Sequence, residues 1–274
     1  MEDQTEETGF LAYQIPCVYT WADLVVTPAL EESLHDLCNL VRFQNFVGEQ
    51  RGFYEKRLYG RGVCALFYGP SGTGKTMAAQ VIARELEMAL YRVDFSQIQS
   101  KYIGETQKNI NILFTQAREI NGILLFDEAD ALFSKRTEVK DANDRHSNGE
   151  IAYLLQKLEE YEGISILTTN LKNQMDEAFR RRIRRMIHFP LPDWETRKRL
   201  WKSVFPMQAP LAEEVKLERY AWKLELSAGE IKEAALDAAL FAASEHEKIG
   251  DRHIQKALKL CCSKYGRILT EGDF

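Results

Sequence analysis

The stretch Gly62-Val-Cys-Ala-Leu-Phe-Tyr-Gly69-Pro-Ser-Gly-Thr-Gly74-Lys75-Thr76 decides how this chain is read. Residues 62–68 are almost wholly apolar and read as a buried strand. Residues 69–76 fit the pattern G-x-x-x-x-G-K-[ST] in full, and a helical stretch runs on from Thr76 to near Met88. Strand, glycine loop and helix in that order are what a phosphate cradle requires. Glycines let consecutive backbone N–H groups turn toward phosphate oxygens, and the helix N-terminus adds favourable partial charge. Gly69, Pro70, Ser71, Gly72, Thr73 and Gly74 would form the cradle, with Lys75 reaching the terminal phosphates. The Thr76 hydroxyl would ligate Mg²⁺.

Working outward, Leu124-Leu-Phe-Asp127-Glu128-Ala-Asp130 places an acidic pair at the end of an apolar strand, Ile123–Phe126. In a parallel sheet the carboxyl ends of the strands gather ligands, so this pair is expected beside the glycine loop. Asp127 is assigned to Mg²⁺ and Glu128 to polarising the attacking water. Further strands are read at Leu90–Val93, Ile164–Thr168 and Met186–Phe189. Helical stripes are read at Ile110, Leu113, Phe114, Ala117 and Ile120, and at Ile151, Leu154, Leu155 and Leu158. After Pro190-Leu-Pro192 the pattern changes to helices without strands, among them one opened by the capping box Ser227-Ala-Gly-Glu230. The expectation is an α/β domain at 20–190, a parallel sheet sandwiched by helices, then a small all-helical domain at 191–274. Residues 1–19 are read as a short extension.

The chain has 274 residues, 45% of them hydrophobic and 28% charged, an ordinary globular composition. No apolar run is long enough to span a bilayer, and the acidic start MEDQTEETGF does not resemble a secretory leader. Five cysteines without C-x-x-C spacing read as reduced thiols, which suits the cytoplasm. A net charge of -5 gives no general attraction for nucleic acid or anionic membrane. The absence of an Asn-Lys-x-Asp base-reading string speaks against GTP.

Taken together, Gly69–Thr76, Asp127-Glu128-Ala-Asp130 and Thr168-Thr-Asn170 resemble the AAA+ superfamily of ATPases. The string Ser100-Lys-Tyr-Ile-Gly-Glu-Thr106 narrows the resemblance to the AAA group of protein remodellers that includes katanin and spastin, and within it to bacterial single-module proteins. The resemblance runs from about Trp21 to about Arg267. It implies Mg·ATP as the ligand and a homo-oligomeric, hexameric ring as the assembly. It implies that Asn170 senses the γ-phosphate and orients the hydrolytic water. It makes Arg181 the primary finger inserted into a neighbouring subunit's site, and Arg182 the second. Asp23 and Leu24 fit the family's entry segment at adenine, with Ala228 and Gly229 facing the base from the helical domain. The family's Gly-Ala-Asp segment there appears as Ala228-Gly229-Glu230, and no sensor arginine stands out in the helical domain.

Lys101, Tyr102, Ile103 and Gly104 correspond to a loop that relatives project into a central pore, where an aromatic ring beside a flexible glycine grips an unfolded chain. A protein substrate is therefore the leading expectation, with an adaptor in place of the larger N-terminal domain of many relatives. A nucleic-acid motor or loader and an ATP-dependent assembly switch are the alternatives. The acidic net charge counts against the first, and the intact hydrolytic set Glu128, Asn170 and Arg181 against the second.

Overall fold

The computed structural model describes residues 11–52, 62–98, 105–120, 122–132, 142–170 and 180–274. Its sheet is built on β2 (Val63–Tyr68) and β4 (Gly122–Phe126), almost wholly apolar in sequence, and on β5 (Ile164–Thr169), where Ser165, Thr168 and Thr169 interrupt the apolar run. Such runs suit strands covered on both faces, and Leu66, Phe67, Leu125, Phe126 and Ile166 are fully buried. With β1 (Ala12–Ile15), β3 (Ala89–Val93) and β6 (Arg185–His188) the order is β1-β3-β4-β5-β2-β6. Every pairing is parallel except β1 with β3, where Ala12 faces Val93.

That edge strand lies inside the segment expected to be a plain extension. Its four residues are too few for a two-residue alternation to stand out, and Pro16 ends it at once.

Helices α1 (Pro28–Asn45), α2 (Lys75–Glu85), α3 (Phe95–Ile98), α4 (Glu105–Ala117) and α5 (Ala142–Glu160) connect the strands. The apolar stripe of α4, Ile110, Leu113, Phe114 and Ala117, packs with Leu154, Leu155 and Leu158 of α5 over Leu66, Leu124 and Phe126. The two helical stripes expected from the sequence therefore meet on the same sheet face. The parallel register carries the ends of β2, β4 and β5 out together, so that Gly69, Asp127 and Asn170 directly follow three strands.

The chain divides into two compact units: Met1–Trp21, Glu32–Tyr68 and Lys75–His188 in the first, and Ala22–Glu31, Gly69–Gly74 and Phe189–Phe274 in the second. The helical unit thus begins at Phe189, and it also claims the glycine loop and the stretch before α1. It contains α6 (Trp194–Val204), α7 (Leu217–Lys223), α8 (Ala228–Ser244) and α9 (Asp251–Lys264). Trp201, Tyr220, Ile254 and Leu258 are completely buried in its core. Asp193 caps α6, accepting the Thr196 N–H at 2.8 Å. The box foreseen at Ser227 is present in both directions, with Glu230 N–H on Ser227 Oγ at 3.2 Å and Ser227 N–H on Glu230 Oε2 at 2.7 Å.

Candidate nucleotide and hydrolysis site

At Gly69 and Gly72 the glycine loop is closed in by contacts that leave no room for a side chain. Gly69 has φ +147, and a Cβ there would lie 2.0 Å from the Phe189 carbonyl oxygen. Gly72 has φ +74, and its carbonyl accepts the Gly229 N–H at 2.8 Å. A Cβ on Gly229 would stand 3.0 Å from Gly72 Cα. Leu24 Cδ1 lies 3.6 Å from where a Gly74 side chain would begin. So Leu24, Gly72, Gly74 and Gly229, expected around the nucleotide, do come together. Asp23 is exposed in the turn before Leu24, and Ala228 opens α8 at half exposure. Inside the loop the Thr73 hydroxyl donates to the Pro70 carbonyl at 2.9 Å.

Lys75 and Thr76 follow Gly74 at the start of α2, where β4 and β5 end. Asp127 is the hub of this group. Its Oδ1 accepts the Thr76 hydroxyl at 3.0 Å and the Thr168 hydroxyl at 2.6 Å, and Arg92 Nη2 stands 3.2 Å from its Oδ2. Thr168 Oγ in turn accepts the Glu128 N–H at 2.9 Å. Glu128 sits in the left-handed region at φ +53, with its side chain exposed rather than folded onto the protein. Lys75 is 8% exposed and donates to Asn170 Oδ1 at 2.9 Å. Burial lowers its pKa from the ordinary lysine range, opposed by the charges of Asp130, Asp127 and Glu128.

Asp130, quoted in the motif without a role, orients Asn170. It accepts the Asn170 backbone N–H at 2.9 Å, the side-chain Nδ2 at 3.4 Å, and the Thr169 hydroxyl. With Oδ1 on Lys75 and Nδ2 on Asp130, the amide is fixed in one orientation. Thr168, Asp130 and Arg92 are thus the residues that the sequence reading left without function. For the first two the signal was the motif itself. For Arg92 it was a guanidinium in the middle of β3.

The donors suit magnesium. Thr76 Oγ and Asp127 Oδ1 are hard oxygens 3.0 Å apart, and neighbouring oxygens around an octahedral Mg²⁺ are separated by about 2.9 Å. Glu245, Glu247 and His253 offer another set of donors within 4.8 Å of one another, but their geometry serves helix α9. His253 Nδ1 accepts the Gly250 N–H at 3.0 Å, and its Nε2 lies 3.2 Å from Glu245 Oε2 and 3.3 Å from Arg252 Nε. Arg252 pairs with both carboxylates.

Of the arginine run, Arg181 is exposed, whereas Arg182 Nε is paired with Glu159 of its own chain at 3.0 Å. Arg184 is anchored by its backbone N–H on the Cys64 carbonyl at 2.9 Å and by its guanidinium on Gln44 at 3.3 Å. Lys101, Tyr102, Ile103 and Gly104 lie outside the described residues. The five thiols are free, and burial pushes Cys64 up to about 11 and Cys261 up to about 12. A cavity of about 710 Å³ opens at the other end of the sheet, where β4 and β5 begin (Gly122, Ile164), remote in the fold from the Asp127 hub at the far ends of these strands. No helix among the described residues is long and apolar enough to cross a membrane.

Comparison with known proteins bears on the family and the fold. Residues 65–191 match the model of the ATPase family associated with various cellular activities (AAA). The 26S proteasome regulatory subunit 4 homolog of Oryza sativa subsp. japonica is 32% identical over 216 residues, covering 76% of this chain and 48% of that protein. Subunit 4 homolog B of Arabidopsis thaliana is 34% identical over 216 residues with the same coverage, 76% and 48%. The subunit 6B homolog of Dictyostelium discoideum is 36% identical over 191 residues, 66% of this chain and 46% of that one. The chain therefore spans about half the length of these curated relatives. The crystal structure of the FIGL-1 AAA domain superposes with a TM-score of 0.70 at 19% identity, covering 96% of this chain and 88% of that one. Matching motifs, matching fold and the polar cluster gathered at the strand ends lead to one conclusion: this chain belongs to the AAA family of ATPases.

Proposed function

We propose that the chain hydrolyses ATP with Mg²⁺ and works as a subunit of a ring that remodels a protein substrate. The observation that carries the reading is the Asp127–Glu128 pair. Asp127 is held by the Thr76 and Thr168 hydroxyls, and the same Thr168 oxygen anchors the backbone that turns Glu128 outward. One carboxylate is thereby tied down for a metal and its neighbour left exposed for a water molecule.

Each residue's part follows from its position. The loop 69–74 would wrap the phosphates with backbone N–H groups, and Leu24, Ala228 and Gly229 would meet the base. Lys75 would exchange its bond to Asn170 for the terminal phosphates, freeing the amide to hold the attacking water. Glu128 would accept that water's proton. Bound magnesium would neutralise phosphate charge from Thr76 and Asp127. Arg181, exposed on its own chain, would neutralise the developing charge in a neighbour's site, with Arg182 as its second once released from Glu159. The relatives named above are proteasome regulatory subunits, which supports a polypeptide as the substrate. Tyr102, with Lys101, Ile103 and Gly104, would grip that polypeptide. Free buried thiols suit a reducing, cytoplasmic setting. Residues 20–190 and 191–274 would serve as the nucleotide-binding domain and its helical lid.

The deciding experiment is Glu128→Gln. It should bind ATP as the wild type does while turnover falls by at least about 100-fold. Lys75→Ala should lose binding itself. Turnover near the wild-type rate in Glu128→Gln would remove Glu128 as the base.

A further inference from the structure

Asp127 has two oxygens with different partners. Oδ1 takes two neutral hydroxyls, and Oδ2 faces a cation, Arg92 Nη2, at 3.2 Å. Arg92 belongs to the neighbouring strand, paired across to Leu125 two residues before Asp127. The side chain of Asp127 is only 8% exposed, that of Arg92 39%. A carboxylate this buried is unfavourable without a counter-charge. Arg92 supplies it from the outer, wetter side, where a guanidinium can swing away without unpacking the core.

We infer that Arg92 is a tethered counter-cation for Asp127, a positioning residue that holds the carboxylate in the absence of a divalent ion and competes with that ion for it. The inference rests on the reading of Asp127 as the Mg²⁺ ligand. A metal bound at Asp127 and Thr76 must share the carboxylate with a positive charge already within hydrogen-bonding distance of it. Like charges on one carboxylate repel, so the guanidinium raises the magnesium concentration at which the site fills. Removing the charge should make metal binding easier and the metal-free protein less stable. An ion pair of purely structural purpose would affect stability alone.

The test uses the whole chain, a fluorescent ATP analogue at fixed subsaturating concentration, and titration with MgCl₂. For Arg92→Gln the magnesium midpoint for analogue binding should fall about three- to ten-fold, while the thermal midpoint in EDTA without nucleotide drops. Arg92→Lys retains the charge on a single-headed, shorter reach and should fall between the two proteins. It also carries the test should the glutamine variant fail to fold. A magnesium midpoint that stays put or rises in a folded variant overturns the inference, even where thermal stability is lost. Asp127→Asn separates this from the underlying reading. If it leaves the magnesium dependence of binding intact, Asp127 is not the metal ligand. If it abolishes that dependence while Arg92→Gln moves nothing, only the role given to Arg92 falls.

Discussion

Glu128 carries a backbone cost along with its chemistry. A residue with a side chain at φ +53 is held in a region that costs of order 1–2 kcal/mol, and the surroundings must fix it there. Here the fixing group is Thr168, whose hydroxyl binds the Glu128 N–H and, through its own proton, Asp127. Strain therefore falls on the residue proposed as the base. Glycine adopts this conformation freely, so Glu128→Gly should unfold in urea with stability equal to the wild type or up to about 1 kcal/mol higher, while losing turnover as Glu128→Gln does. A loss of more than about 1 kcal/mol in Glu128→Gly would mean that the side chain, exposed as it is, supports the fold. Hydroxyls recur in this site: Thr76, Thr168 and Thr169 each donate to a carboxylate of Asp127 or Asp130.

Helix α8 links the helical unit's stability to the glycine loop. Its first turn holds the capping box, and two residues after Ser227 the Gly229 N–H donates to the Gly72 carbonyl. Ser227→Ala removes one side of the box and should cost about 1 kcal/mol, read from urea unfolding of the whole chain. It should also weaken ATP binding several-fold, because the turn that meets Gly72 loses its brace. A stability loss with unchanged affinity would sever the cap from the loop. This helix also shows what was legible in the residues. Ser227-x-x-Glu230 before an alanine-rich run states a helix start in local chemistry alone, and α8 begins at Ala228. The central strands β2 and β4 were equally plain, since burial on both faces leaves them almost wholly apolar. Edge strand β1 was not, because four residues carry too little periodicity. Within the site, the residues with a chemical signature, Lys75, Thr76, Asp127 and Asn170, could be named in advance. Those that orient them could not: Arg92 acts across a strand pairing, and Asp130 through a turn, contacts created by the fold and not by spacing along the chain.

For the whole molecule the open question is whether one chain completes its own site. Among the described residues, Lys75, Thr76, Asp127, Glu128 and Asn170, proposed for hydrolysis, gather at the strand ends beside Arg92, and Arg181 is exposed just before β6. Arg182 is held by Glu159 and Arg184 by Gln44 and Cys64, so the run is not uniformly solvated, and Arg181 is exposed. A guanidinium presented outward on a chain with this site elsewhere suits a head-to-tail contact, in which one surface meets a different one on the next copy and the series closes into a ring. Arg181→Ala and Lys75→Ala should each be nearly inactive alone. Mixed, they should regain a measurable fraction of ATPase, because one kind of interface pairs an intact Lys75 site with an intact Arg181. The regained rate should peak near equal mixing and follow the amount of mixed assembly in native mass spectra. Specific activity of the wild type should also climb with protein concentration wherever assembly is limiting. Mixed assemblies that form and stay silent at every ratio would place Arg181 in its own chain's chemistry, or outside chemistry altogether. An Arg181→Ala protein with full activity as a monomer would remove the ring from the mechanism.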